Sequence, residues 1–236
     1  MFLGHYAVGF AAKRYAPEVP LGWLLAAPLL LDLLWPIFLI FGWEEVRIAP
    51  GDTAFTPLAF VRYPWSHSFL MAVVWSAAAA TLLARAGRAK VPAAALARSA
   101  AILGGAVLSH WFLDALTHRG DLQYAPGFEA RVGLGMWNSV PATIAVEGVM
   151  FALGVGLYVA TTRARDRRGG WGLAAFLTVS VALYLGAAFG PPPPSVAAII
   201  AVSLGAWLMP LWAGCVDRHR AVRDRASAPG AASERT

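Results

Sequence analysis

The chain has 236 residues, of which 58% are hydrophobic and 14% charged, with ten Trp and a formal net charge of +6. Soluble domains carry about 45–50% apolar and about 25% charged residues, so this composition excludes an ordinary soluble core and points to a membrane protein. The single Cys215 excludes an intramolecular disulfide and a cysteine-built metal cage, and the basic residues fall in short clusters between apolar runs, which reads as topology rather than nucleic-acid binding.

In chain order, MFLGHYAVGF has no basic region ahead of its apolar stretch and does not resemble a cleaved signal peptide. It predicts a short helix over about 2–15 that ends at Lys13-Arg14, and Pro17 and Pro20 then predict a turn. Apolar runs near the roughly 20 residues needed to cross a bilayer follow at 20–42, 65–86, 93–117, 141–162, 171–190 and 194–213. The prolines at 191–194 separate the last two. From 218 the sequence is polar and basic and predicts a disordered tail. The expected fold is therefore all-α: a polytopic integral membrane bundle of about six transmembrane helices plus a short N-terminal helix. Residues 1–217 form one domain and 218–236 the tail.

Basic residues set the expected orientation. Lys13 and Arg14 lie in the first turn, and Arg85, Arg88, Lys90 and Arg98 bracket the junction after the second span. Arg163, Arg165, Arg167 and Arg168 follow the fourth span, and Arg218, Arg220, Arg223 and Arg225 the sixth. The alternate loops hold few basic residues and many acids: Glu44, Glu45, Asp52, Asp121 and Glu129. The positive-inside rule puts the basic set, and with it the C-terminus, in the cytoplasm of a multi-pass protein whose first partner is the lipid bilayer.

Ionisable groups within spans cost about 2.5–3.5 kcal/mol each at mid-helix, so they need partners or a function. His5, Asp32, His67, His110, Asp114, His118 and Glu147 make up that set. In SHWFLDALTH, His110, Asp114 and His118 recur every four residues, which lines them along one face of a helix. At about 1.5 Å of rise per residue, all seven fall at or above mid-membrane on the extracytoplasmic side. Imidazoles and carboxylates without thiolates suit a divalent metal, Zn first, with Mn, Fe or Mg as alternatives. Plainer readings stand beside this one. His110 and Asp114 can form a hydrogen-bonded pair that joins helices. His118 can be an interfacial loop residue, and His67 can cap a helix with Ser66 and Ser68. His5 can snorkel to the interface, and Glu44 and Glu45 read as solvated loop charges.

Gly4-His5, Asp32, Ser66-His67-Ser68 and GGAVLSHWFLDALTHRG from Gly104 to Gly120 also form a pattern. Over its first half the chain resembles the bacterial membrane-bound, metal-dependent hydrolase family, whose founding inner-membrane member is tied to LexA control. That family carries an early Gly-His, a Pro-Asp-x-Asp, a Thr-His-Ser and a Gly…Ser-His…Asp…Thr run. Here the Pro-Asp-x-Asp is reduced to LLLDLLW, and VRYPW stands where His-Arg-Gly precedes Thr-His-Ser. The shortened acidic motif leaves open one metal or two, and a non-catalytic relative.

The resemblance implies a hydrolase of the bacterial inner membrane. The expected ligands are His5, Asp32, His67, His110 and Asp114, with Glu147 or His118 as general base or acid. The metal would activate water by lowering its pKa to about 7. Site depth points to a lipid or lipid-linked ester or phosphoester. Two other classes remain: a non-catalytic scaffold whose polar cluster fixes helix packing, and a proton or metal-ion transporter.

Overall fold

The computed structural model describes residues 1–87 and 92–223. Arg88, Lys90 and Arg225 of the basic clusters lie outside the described residues.

The short N-terminal helix is α1 (Leu3–Ala12), and the first predicted span is two helices, α2 (Leu21–Ala26) and α3 (Leu30–Ile40). Pro28 sits in the break; it has no N–H with which to continue a helix. The break leaves the Pro28 carbonyl free to accept a bond from elsewhere, and it does so at the site described below. After β1 (Glu45–Ile48) and β2 (Leu58–Arg62), the second span begins as a four-residue helix, α4 (Pro64–His67). Ser68 then turns extended, with ψ at 153°, before α5 (Phe69–Gly87). Ser68 Oγ accepts the Met71 N–H at 3.4 Å, so the serine that caps the long helix is Ser68, and Ser66 is free for another role.

The third span is one unbroken helix, α6 (Ala93–Thr117). Strands β3 (Leu122–Gln123) and β4 (Arg131–Val132) follow, then α7 (Val140–Thr161), β5 (Thr162–Ala164) and α8 (Arg167–Phe189). The last span is α9 (Val196–Gly205) and α10 (Leu208–Arg218), and β6 (Arg220–Val222) closes the described chain. The strands form three separate two-stranded antiparallel sheets, β1 with β2, β3 with β4 and β5 with β6.

The molecule is thus an all-α membrane bundle. α5, α6, α7, α8 and the stretch Val196–Arg218 are each long and apolar enough to cross a membrane. α2 and α3 supply the remaining predicted pass in two pieces. Helix α1 packs against α7, α5 against α6, α2 against α10 and α3 against α9. Small residues allow α1 its place inside the bundle. A Cβ on Gly154 of α7 would lie 2.7 Å from the Ala7 Cα, and one on Gly9 would lie 2.6 Å from the Leu24 carbonyl oxygen. Two apolar clusters flank α1: Tyr6, Phe10, Phe151, Tyr158 and Phe176 on one side, and Leu24, Leu31, Leu103 and Val107 on the other.

The expected tail is corrected at its start. Arg218 ends α10, and Arg220–Val222 pair with Thr162–Ala164. Arg220 lies over the Tyr158 ring at 5.2 Å and donates to Thr162 Oγ1 and the Gly169 carbonyl. A guanidinium with acceptors and an aromatic face is held in place despite its polarity. Residues 224–236 of the expected tail lie outside the described residues. Lys13, read from sequence as a topology charge, is buried: its Nζ donates to Asp217 Oδ2 at 2.8 Å and to the Val19 carbonyl at 2.9 Å.

Candidate metal centre

The site forms where α1, α3, α4 and the end of α6 meet, at the end of the bundle that carries the 41–63 and 118–139 segments. Its hub is Asp114, whose side chain is 2% exposed. Asp114 Oδ1 lies 3.1 Å from His5 Nε2 and 2.6 Å from the Met1 α-amino nitrogen. Asp114 Oδ2 lies 2.9 Å from His110 Nε2 and 3.8 Å from both His67 Nε2 and His118 Nε2. Asp32 Oδ1 lies 3.3 Å from His67 Nε2 and 3.8 Å from His110 Nε2. The five expected ligands therefore come together from four elements of the chain, and His118 joins their edge. His110 and Asp114 share a face of α6 as their spacing requires. His118 is the first residue past the helix, with ψ at 148°, and its N–H still donates to the Asp114 carbonyl at 2.8 Å.

The opposite nitrogens of these rings decide what the inner ones can do. His110 Nδ1 lies 2.7 Å from the Pro28 carbonyl, which can only accept, so Nδ1 carries the proton. Ser66 gives both its N–H and its hydroxyl to Glu44, each at 2.7 Å. Its oxygen is then an acceptor for His67 Nδ1–H, at 2.5 Å. His118 Nδ1 lies 3.0 Å from Asp121 Oδ1, the oxygen to which the Tyr63 hydroxyl donates at 2.7 Å. Burial and then the Asp121 carboxylate push the Tyr63 hydroxyl well above its ordinary range, so it remains a donor. Three imidazoles thereby carry their Nδ1 proton on the outside and turn Nε2 toward the carboxylates. An outer hydrogen bond that fixes the tautomer and orients the ring is the usual support of a metal-ligating histidine.

The fit to a cation is visible in the unsatisfied atoms. Among the described residues, the buried His110 Nε2 and His5 Nδ1 have no hydrogen-bond partner. His110 Nε2, 2.9 Å from an Asp114 oxygen, needs a positive charge between the two, which its own proton or a bound cation can supply. The His5 and His110 rings stack face to face at 3.9 Å. His5, His110, His67 and His118 are at most 5% exposed in their side chains, whereas Asp32 is 44% exposed. The cluster is closed on the His118 side by the Trp137 and Phe60 rings, 4.2 and 4.9 Å away, and opens past Asp32.

Glu147 stands apart from these metal-ligand candidates. Its Oε2 accepts the Gly4 N–H at 3.1 Å, so the carboxylate holds the start of α1, where negative charge also complements the helix dipole. Its other oxygen is buried without a partner among the described residues.

Sequence reasoning placed Glu44 in solvent, and this is corrected: it is 4% exposed and anchors Ser66. Burial pushes its carboxyl up, against the pull of the two Ser66 bonds. Asp121, Tyr63 and Pro28 were also not singled out. Only Asp121 carried a sequence signal, three residues after His118. Compared with protein-family models, with curated proteins and with solved structures, the chain matches none.

Proposed function

We propose that the chain is a metal-dependent hydrolase of the bilayer that acts on a lipid or lipid-linked ester or phosphoester. The observation that carries this reading is the set of imidazoles with Nδ1–H held from outside and Nε2 facing Asp114. His5, Asp32, His67, His110 and Asp114 are the residues that would hold the metal. Nitrogen and oxygen donors without thiolate favour Zn, with Mn, Fe or Mg next. When bound, such a cation acts as a Lewis acid and makes hydroxide available near neutral pH.

The chain's own groups supply the rest. His118 takes up and returns a proton at Nε2 while Asp121 and Tyr63 keep its Nδ1–H in place. Glu147 acts as a positioning residue, because it fixes the first turn of α1 and with it His5. Phe60 and Trp137 exclude water on the closed side, and substrate reaches the cluster past Asp32. The basic clusters support a cytoplasmic location for the end opposite the site, in a bacterial inner membrane. The site then serves the outer leaflet.

The test is a hydrolysis screen of the detergent-purified chain against lipid carboxyl esters, phosphomonoesters and phosphodiesters. Turnover is expected on one class, abolished by chelator and by His110→Ala, and restored to wild type by added metal. A metal-loaded protein that turns over no member of the panel refutes the reading.

A further inference from the structure

The segments that bring Asp32, His67 and His110 together also line an apolar groove of about 580 Å3. On α3, Leu30, Leu33 and Leu34 flank Asp32 in the chain and line the groove. On α5, which follows His67, Trp75, Ala78, Ala79, Leu82, Leu83 and Ala86 recur along it at helical spacing. On α6, Leu103 of the groove lies two turns, about 10 Å, before His110 on the same face. The groove therefore begins at the depth of Asp32 and runs toward the end of the bundle opposite the site. From Trp75 to Ala86 it is about 16 Å long, and one leaflet's share of a hydrocarbon core about 30 Å thick is about 15 Å.

Chemistry and width select the occupant. Every lining residue is Trp, Leu or Ala. The Trp75 indole N–H donates to the Trp65 carbonyl at 2.9 Å and the Trp207 indole N–H to the Leu33 carbonyl at 3.1 Å, so neither is free for a polar ligand. Trp23 and Leu82, 63% and 66% exposed, leave the side of the groove open to the bilayer. Averaged over its length the cross-section is about 36 Å2, whereas a helix about 10 Å across takes about 80 Å2. The slot has room for a hydrocarbon chain and excludes a helix.

We infer that the groove holds one long hydrocarbon chain of the lipid substrate, which places the bond to be cut beside Asp32, where the polar cluster opens. This rests on the hydrolase reading above and specifies its substrate: a lipid with a chain about one leaflet long, attached at or next to the scissile group. Within a bilayer the chain gains no hydrophobic energy by entering the groove, so recognition comes from close packing against the Trp, Leu and Ala surface. The chain acts as a ruler. Filling the slot fixes how far the scissile group can move from the cluster.

The experiment has two arms. In the first, the full-length chain in phosphatidylcholine–phosphatidylethanolamine vesicles is irradiated with a phospholipid whose palmitoyl chain ends in a diazirine, and adducts are mapped by peptide mass spectrometry. They should concentrate on Leu82, Leu83 and Ala86 and fall about tenfold in Ala78→Trp, the effect of forcing a side chain into filled space. Labelling of Leu153 and Val202, exposed elsewhere on the bundle, should not change. Even labelling of all exposed faces, or a groove left unlabelled because a second copy of the chain covers it, overturns the inference. The second arm compares long- and short-chain members of the class that turns over in the screen above. Ala78→Trp should lower the long-to-short turnover ratio about tenfold, with metal load and a monodisperse elution profile as the check on its fold. An unchanged ratio overturns the inference and leaves the hydrolase standing. No turnover of any class removes the hydrolase reading, while the labelling by itself still decides whether the groove holds a chain.

Discussion

Replacing Glu44 by Gln should weaken metal binding about 10- to 100-fold while every ligand stays in place, the usual cost of losing an outer hydrogen-bond partner of a ligating histidine. Glu44 is in a loop, and its contact with the site is indirect. It accepts from Ser66 N and Oγ at 2.7 Å each, and Ser66 Oγ in turn accepts from His67 Nδ1 at 2.5 Å. Glutamine keeps the shape but replaces one acceptor oxygen with a donor and removes the charge. Hydrogen bonds to a charged acceptor are roughly twice as strong as neutral ones. The Ser66 hydroxyl is then released to turn its own proton toward His67, which favours the wrong tautomer. A 10- to 100-fold loss corresponds to about 1.4–2.7 kcal/mol. The assay is competition between the apo-protein and a chelator of known affinity, with Ser66→Ala as the second break in the same relay. Glu45→Gln is the control, because Glu45 pairs with the exposed Arg47 instead. If Glu44→Gln and Ser66→Ala both bind within threefold of wild type while His67→Ala does not, the relay has no influence on the metal.

Other perturbations test how the fold presents the site. Gly154→Val should force α1 away from α7, because a Cβ there meets the Ala7 backbone; the expected result is a large loss of bound metal with the helical content retained, and an unchanged metal load would show that α1 placement is not limiting. Asp217→Asn should lower stability by about 3–5 kcal/mol, the cost of leaving one member of a buried pair alone, since Asp217 receives Lys13 Nζ, Leu21 N–H and the Tyr158 hydroxyl. Thermal unfolding in detergent should register this as a drop of roughly 6 °C or more, and a drop below 2 °C would mean the pair is solvated. Asp166 is held below its ordinary value of 3.8 by the His219 ring and the Gly169 N–H. A lowered carboxyl stabilises the fold above that ordinary value, and the contribution fades as pH falls through the lower folded value. Asp166→Asn should therefore flatten the melting temperature between pH 5 and pH 3, measured by differential scanning fluorimetry, and an unaltered slope would place the pH dependence elsewhere.

Much of this architecture follows from local rules. Twenty apolar residues in a row have one stable form in a bilayer, because backbone groups there must bond within their own segment. That alone determines α5, α6, α7, α8 and the stretch Val196–Arg218 as helical passes. The four-residue spacing of His110 and Asp114 puts them on one face of α6, since the helical period permits nothing else. The cost of ionisable groups in hydrocarbon singles out Asp32 and His5 without any partner in view.

What tertiary structure alone decided is the outer ring of support. Glu44 and Asp121 sit in loops, where no periodicity separates a buried carboxylate from a solvated one; their burial comes from the packing of the 41–63 and 118–139 segments around the site. Pro28 signals a break, but only the position of α6 beside that break makes its carbonyl the acceptor for His110. Glu147 reads from the sequence as a general base or acid, and the neighbour that occupies it is the Gly4 N–H, 143 residues away along the chain. Hydropathy and helical period are properties of adjacent residues and are written in the sequence. A hydrogen bond between segments far apart in the chain depends on how the helices cross, and that is determined only when the whole bundle packs.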